Sequence, residues 1–163
     1  MKKRRFLITG GYGFIGSSLI RELINEDDIE ICNIDKLSYS SNLNSFNHVS
    51  ITNYQFKKID IVNSKLIDDA IREFKPDYII HLAAETHVDR SIDGPDEFIQ
   101  SNIIGTYNLL NSSYEFWKKL ESSKKEIFKF LYVSTDEVYG SLGPNDNPFT
   151  EESNYKPNSP YSA

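Results

Sequence analysis

The stretch "RFLITGGYGFIG" (residues 5–16) decides the fold. Its first half, "RFLITG" (5–10), is a short β-prone run that ends in glycines. Its second half opens "FIGSSLIRELINED" (14–27), where apolar residues at 15, 19, 20 and 23 recur with the spacing of an amphipathic helix. Between the two, Gly11, Gly13 and Gly16 satisfy G-x-G-x-x-G, and Gly10, Gly13 and Gly16 fit G-x-x-G-x-x-G. Glycines at a strand-to-helix turn let the backbone approach a pyrophosphate. The helix N-terminus then offers free N–H groups and a positive dipole. Strand, glycines and helix in that order predict a dinucleotide site.

The next strand, "IEICNID" (29–35), closes on Asp35, 19 residues after Gly16. A carboxylate there accepts hydrogen bonds from an adenosine ribose diol and repels a 2′-phosphate, which points to NAD rather than NADP. Lys36 next door is the one feature pulling the other way.

Further out, strand-like and helix-like segments alternate. "YQFKKIDI" (54–61) and "DYIIHLAA" (77–84) read as strands, and "SKLIDDAIREF" (64–74) as a helix with Ser64 as N-cap. A long helix is predicted over 95–119. "IFKFLYVST" (127–135), apolar nearly throughout, reads as a central parallel strand buried on both faces. Residues 136–163 and 40–53 read as irregular. The alternation predicts an α/β fold: a Rossmann-like, doubly wound parallel sheet with helices on both faces.

The bulk numbers set limits. With 39% hydrophobic and 26% charged residues, the chain reads as a globular domain. A net charge of −6 argues against nucleic-acid binding, which needs a basic stripe. No apolar run reaches the roughly 18 residues of a membrane helix, so no membrane partner is expected. "MKKRRFLITGG" has too short an apolar run for a secretory signal, and Lys2 to Arg5 read as a solvated lead-in. The single cysteine, Cys32, excludes an intrachain disulfide and a cysteine-built zinc site, and suits a reducing cytoplasm. His81, His87 and Asp89 read as a strand-end histidine and a pocket-lining loop, so no metal is expected. Asp89 and Arg90 either pair with each other or face water, and "YEFWKKL" (114–120) reads as helix packing.

The chemistry-bearing motif is "STDEVYG" (134–140). Ligands of open α/β sheets bind at the carboxyl ends of the strands, which is where Thr135, Asp136 and Glu137 would project. With Tyr161 they supply a hydroxyl, two carboxyls and a phenol for acid–base work around a redox step.

"TGGYGFIG", "IDK", "HLAAETHVDRS", "NIIGTYNLL", "STDEVYG" and "SPYSA", in order and spacing, resemble the extended short-chain dehydrogenase/reductases. Within them the likeness is to the dTDP-glucose 4,6-dehydratases, because related epimerases and decarboxylases do not normally carry the Asp-Glu pair. The resemblance implies NAD as cofactor and a nucleoside-diphosphate glucose as substrate. Tyr161 would take the proton of the sugar 4-hydroxyl while hydride leaves carbon 4. Glu137 would remove the proton on carbon 5 and Asp136 would protonate the departing 6-hydroxyl. Hydride return to carbon 6 would complete the 4-keto-6-deoxy sugar. Thr135 and Thr86 would contact the sugar.

The resemblance also assigns cofactor contacts. Gly10, Gly13, Phe14, Ile15 and Gly16 would hold the pyrophosphate, and Asp35, Lys36, Leu37 and Ser38 the adenosine ribose. Asp60 and Ile61 would flank the adenine. Leu82, Ala83, Ala84, Ser101 and Tyr161 would complete the set. "YSSN" (39–42) stands where the family more often has Tyr-Ala-Gly-Asn, which bears on loop conformation rather than chemistry.

The lysine that follows the tyrosine in the family motif would fall beyond Ala163. Residues 1–163 are therefore expected to be an incomplete, C-terminally truncated NAD-binding Rossmann domain, inactive alone, from an enzyme that is a homodimer at full length. The alternatives are another NAD-dependent sugar-nucleotide epimerase, dehydratase or decarboxylase, and a non-catalytic NAD-binding module.

Overall fold

The structure is a computed structural model in which residues 3–47 and 52–163 are described. Met1 and Lys2 of the lead-in and residues 48–51 of the irregular stretch lie outside the described residues. Five strands, β1 (Arg4–Thr9), β2 (Ile29–Asp35), β3 (Tyr54–Lys58), β4 (Tyr78–His81) and β5 (Lys129–Tyr132), form one parallel sheet in the order β3-β2-β1-β4-β5. Pairing is in register along β1, with Thr9 opposite both Ile34 and His81. The chain winds outward from β1 through β2 to β3, then returns to β4 and β5 on the other side. That reversal makes the carboxyl ends of β1 and β4 the topological switch point, where such sheets open a crevice.

Two cores cover the sheet. Side chains alternate along a strand, so Leu7, Cys32, Ile34 and Ile79 face one side and Ile8, Ile29 and Ile31 the other. The first set packs under α2 (Ser64–Phe74) and α5 (Thr106–Lys118), through Ile67, Ile71, Phe74 and Leu109. The second packs under α1 (Phe14–Leu23), through Ile20 with Ile24 just beyond it. Helices on both faces of a parallel sheet are what the sequence predicts. Among the described residues, no helix is long and apolar enough to cross a membrane.

Element ends differ from the sequence reading for local reasons. Helix α1 stops at Leu23 rather than 27, where the Asn25 side chain donates to the Arg21 carbonyl. β3 stops at Lys58 because Asp60 turns the chain, accepting from Val62 N–H with its carboxylate and from Asn63 N–H with its carbonyl. β4 stops at His81 because the Leu82 and Ala83 N–H groups turn to the Thr9 hydroxyl oxygen. The cap of α2 is Asn63, not Ser64: its side-chain oxygen accepts from Leu66 N–H at 3.1 Å.

The helix predicted over 95–119 runs from α4 (Pro95–Phe98) through a π-helical segment (Ile99–Gly105) into α5. A Cβ at Gly105 would sit 2.5 Å from Ile61 Cγ1, so the missing side chain lets this helix close on the exit of β3. Two short α-helices, α3 (Val88–Asp93) and α6 (Ser122–Ile127), and two 3-10 turns, Leu43–Phe46 and Asp136–Tyr139, complete the described set.

The largest correction concerns β5. It is an edge strand among the described elements, not a central one, and Leu131 and Tyr132 are exposed. Its apolar run matches a strand covered on both sides, but only β4 lies beside it here.

Candidate functional site

All the strand ends around the switch point contribute to one hollow. Gly10 and Gly13 come from the exit of β1, Asp35, Lys36 and Ser38 from that of β2, and Asp60 and Ile61 from that of β3. Leu82, Ala83 and Ala84 follow β4, and Ser101 looks in from the π-helical segment. Gly10 adopts φ +72°, and a Cβ there would meet the Ala83 N and Cα at 2.7 and 2.8 Å. Only glycine lets the two strand exits lie this close.

Phe14 and Ile15 open α1 beside this hollow with exposed side chains, and Gly13, the N-cap residue, makes no side-chain cap bond. The first turn of α1 holds no acidic residue. Gly16 lies behind it, where a Cβ would overlap the Gly10 carbonyl oxygen. An uncapped helix start against a glycine turn is a fit for a pyrophosphate.

Asp35 is 7% exposed and organises the rim. Its Oδ2 accepts from Tyr12 N–H at 2.9 Å, and its Oδ1 accepts from Leu37 N–H at 2.7 Å and from Ser41 Oγ at 3.3 Å. Leu37, held at φ +61°, does not itself line the hollow. A carboxylate has about four acceptor positions, so one remains on Oδ2 for a ribose hydroxyl. The residues present thus suit NAD.

Beneath the hollow, His81 is fully buried between two threonines. Thr9 Oγ1 accepts from the Leu82 and Ala83 N–H groups, leaving its own proton for His81 Nδ1 at 2.7 Å. Burial pushes the imidazole pKa down to about 4, so the ring is neutral at pH 7. A neutral ring that accepts at Nδ1 carries its proton on Nε2 and donates it to Thr106 Oγ1 at 2.8 Å. The strand-end histidine therefore ties β1, β4 and α5 together. Among the described residues, no group of three or more His, Cys, Asp or Glu side chains could hold a metal.

A second hollow adjoins the first at Ala84, which lines both. Thr135 and Tyr161 line it, together with Phe98, whose ring lies edge-on to Tyr161 at 6.4 Å. Tyr161 is held by a serine turn: Ser162 Oγ accepts from the Asn158 and Ser159 N–H groups. Thr135 caps a 3-10 turn (Asp136–Tyr139) by accepting from Glu137 N–H at 3.2 Å, which leaves its hydroxyl proton free. Asp136 is exposed and Glu137 half-buried, and neither lines the two hollows; exposed Thr86 does not either. The structure thus brings Thr135 and Tyr161 together and leaves the acid pair and Thr86 outside.

Residues 7–163 match the protein family described as GDP-mannose 4,6 dehydratase. The chain belongs to that family. A probable dTDP-glucose 4,6-dehydratase of Sinorhizobium fredii is 51% identical over 160 residues, which are 98% of this chain and 45% of that one. A dTDP-glucose 4,6-dehydratase from Bacillus anthracis, solved in complex with NAD, superposes with a TM-score of 0.80 at 38% identity, covering 98% of this chain and 46% of that one. The UDP-Glc/GlcNAc 4-epimerase of Campylobacter jejuni superposes with a TM-score of 0.83 at 28% identity, covering 98% and 45%. The chain spans about half the length of the curated relatives it matches. The resemblance to dTDP-glucose 4,6-dehydratases is borne out by these identities.

In this member of the GDP-mannose 4,6 dehydratase family, sequence reasoning missed Glu85. It is 6% exposed, lines the first hollow and pairs with Lys36 Nζ at 2.9 Å. Burial works to lower the Lys36 pKa, but the hydrogen bond and charge of Glu85, with the charges of Asp60 and Glu97, together leave it raised. Glu85 stands in the quoted "HLAAETH", but a charged residue after a strand gives no sign of its partner 49 positions away (85 − 36). Arg90 pairs with Glu97 at 3.4 Å and lies 4.2 Å over the Tyr39 ring, not with Asp89. Asp89 and Arg90 are adjacent on α3 and point about 100° apart, whereas Glu97 reaches Arg90 from α4, beyond the break in the helix at Gly94. Phe116 packs on the core as expected of "YEFWKKL", while Tyr114 and Trp117 stack on each other outside it.

Proposed function

We propose that this chain is the cofactor-binding part of an NAD-dependent nucleoside-diphosphate-glucose 4,6-dehydratase, with dTDP-glucose as the substrate. The observation that carries the reading is the junction at Ala84 between the hollow at the strand exits and a hollow lined by Thr135 and Tyr161. The names of the relatives support the dTDP-glucose assignment.

Bound NAD+ would supply the hydride acceptor and donor of the reaction. Asp35 holds the adenosine ribose diol, and the N–H groups that open α1 hold the pyrophosphate. Thr135 donates its free hydroxyl proton to the sugar near the 4-hydroxyl, and Tyr161 takes the 4-hydroxyl proton. Glu137 removes the proton on carbon 5 and Asp136 protonates the departing 6-hydroxyl, so water is eliminated across carbons 5 and 6. Both carboxyls stand on the turn capped by Thr135, so this reading requires that turn to shift when the sugar binds.

In the complete enzyme, α5 forms a homodimer interface through Tyr107, Leu110 and Tyr114, all more than half exposed. A cytoplasmic setting fits a single cysteine, Cys32, that is buried in β2 with its thiol pushed up to about 12 by burial.

The test joins residues 1–163 to the C-terminal half of the Sinorhizobium fredii relative and supplies dTDP-glucose with NAD+. The expected product has lost one water by mass, and the 163-residue chain alone forms none. Asp136→Asn should slow water loss about a hundredfold or more. A product of unchanged mass but altered sugar stereochemistry would favour an epimerase, which the Campylobacter jejuni likeness makes the second reading. NAD+ binding with no conversion of any sugar nucleotide would leave a non-catalytic module.

A further inference from the structure

The cofactor hollow continues into a third hollow, lined by Tyr39, Arg90, Asp96, Glu97 and Gln100. The wall between the two is the Lys36–Glu85 pair, whose members line both, as do Ser38, Asp60 and Ser101. The charges around this doubled space are uneven. Asp35, Asp60, Glu85, Asp96 and Glu97 are anionic, and Lys36 and Arg90 are the only cations among the lining residues. Both cations are already engaged, Lys36 by Glu85 and Arg90 by Glu97 and the Tyr39 ring.

The two partners of the wall are held unequally. The Glu85 backbone is clamped by Asn102, which accepts from Glu85 N–H and donates to Glu85 O, both at 2.9 Å. Its carboxylate is 7% exposed, whereas the Lys36 side chain is 35% exposed. The anion is the fixed member and the cation the movable one.

On the reading of this hollow as an NAD site, we infer that Glu85 is a specificity-determining residue: by sequestering Lys36 it denies a ribose 2′-phosphate its counter-charge. Lys36 lines the cofactor hollow together with Asp35, so a free ammonium there would border the same space as the ribose carboxylate. A phosphate needs such a cation, or several N–H donors, to replace its hydration. With Lys36 taken, the 2′ position faces Asp35 with no cation to offset it. Asp35 alone repels the phosphate, and Glu85 removes the one group that would counter that repulsion.

The experiment measures NAD+ and NADP+ dissociation constants for the 163-residue chain, for Glu85→Gln and for Glu85→Gln with Lys36→Gln. Glutamine keeps the shape of Glu85 without its charge. The ratio of NADP+ to NAD+ affinity should rise about tenfold in Glu85→Gln, more steeply at low salt, because the released charge is partly exposed. The gain should vanish in the double variant, which has no cation to release. Glu85→Asp keeps a carboxylate but withdraws it by one methylene, so it should give a smaller rise of the same sign if the glutamine variant does not fold. Equal changes for both dinucleotides, or a gain that survives loss of Lys36, would make Glu85 merely structural and overturn the inference. Failure of the unaltered chain to bind NAD+ would overturn the proposed function itself.

Discussion

Gly10→Ala should destabilise the chain by roughly 3 kcal/mol and abolish dinucleotide binding at any concentration that saturates the unaltered protein. Two costs add. The residue sits at φ +72°, where an L side chain costs about 1–2 kcal/mol. Its Cβ would also lie 2.7–2.9 Å from the Ala83 and Leu82 backbone, which cannot rotate away as a side chain could. Overpacking of this kind typically costs about 1–3 kcal/mol. Relief requires the exits of β1 and β4 to separate, and those exits are the floor of the cofactor hollow. Urea unfolding gives the first quantity, as a lower midpoint with unchanged slope, and calorimetric titration with NAD+ the second. A loss under about 1 kcal/mol would mean that the switch point is less tightly closed than described.

The second large effect follows from His81. Its pKa is held near 4 in the folded chain, against about 6.5 in an unfolded one. Between those values the unfolded state binds a proton that the folded state refuses, so stability falls as pH falls from about 6.5 to about 4. Below the folded value both states are protonated and this contribution stops changing. The full loss is roughly 3 kcal/mol, at 1.36 kcal/mol for each pKa unit. Unfolding measured across that range checks it, with His81→Gln as the control. The variant should lose this component of the slope, leaving what the carboxylates contribute. Parallel pH profiles for the two proteins would show that the buried ring is not the titrating group. Protonation would also break the Thr9–His81–Thr106 chain, since a doubly protonated ring cannot accept from the Thr9 hydroxyl.

The glycine turn and Asp35 were legible because each is a local signal: a residue type that only one backbone geometry or one position in the chain explains. Gly10 and Gly16 are short of a side chain where a backbone stands in the way, and Asp35 ends an apolar strand. The alternating period-2 and period-3.6 patterns carried the sheet and its helices for the same reason.

What was not legible depends on partners far along the chain. The apolar run of β5 shows what could cover it, not what lies beside it among residues 1–163. Glu85 looks like a solvated charge until the sheet brings the exit of β4 within reach of Lys36 at the exit of β2, across β1. His81 is one strand-end histidine in the sequence, and its two threonines come from residues 9 and 106. The π-helical segment, IQSNIIG, is rich in β-branched and small residues that weaken an α-helix, but nothing in that composition singles out π over α geometry. Ser64 and the Asn63 before it are both good capping residues, and which one caps is decided by which side chain reaches Leu66 N–H.

The central claim is that the hollow at the switch point is an NAD site. It is tested most directly by titrating the 163-residue chain with NAD+ and following each backbone amide by nuclear magnetic resonance, which detects weak binding. Saturable shifts should cluster at Gly10, Gly13, Asp35, Lys36, Ala83 and Ala84, leave Tyr107 and Tyr114 on the outer face of α5 unmoved, and disappear in Asp35→Ala. Shifts that do not saturate, or that map away from the strand exits, would contradict the account.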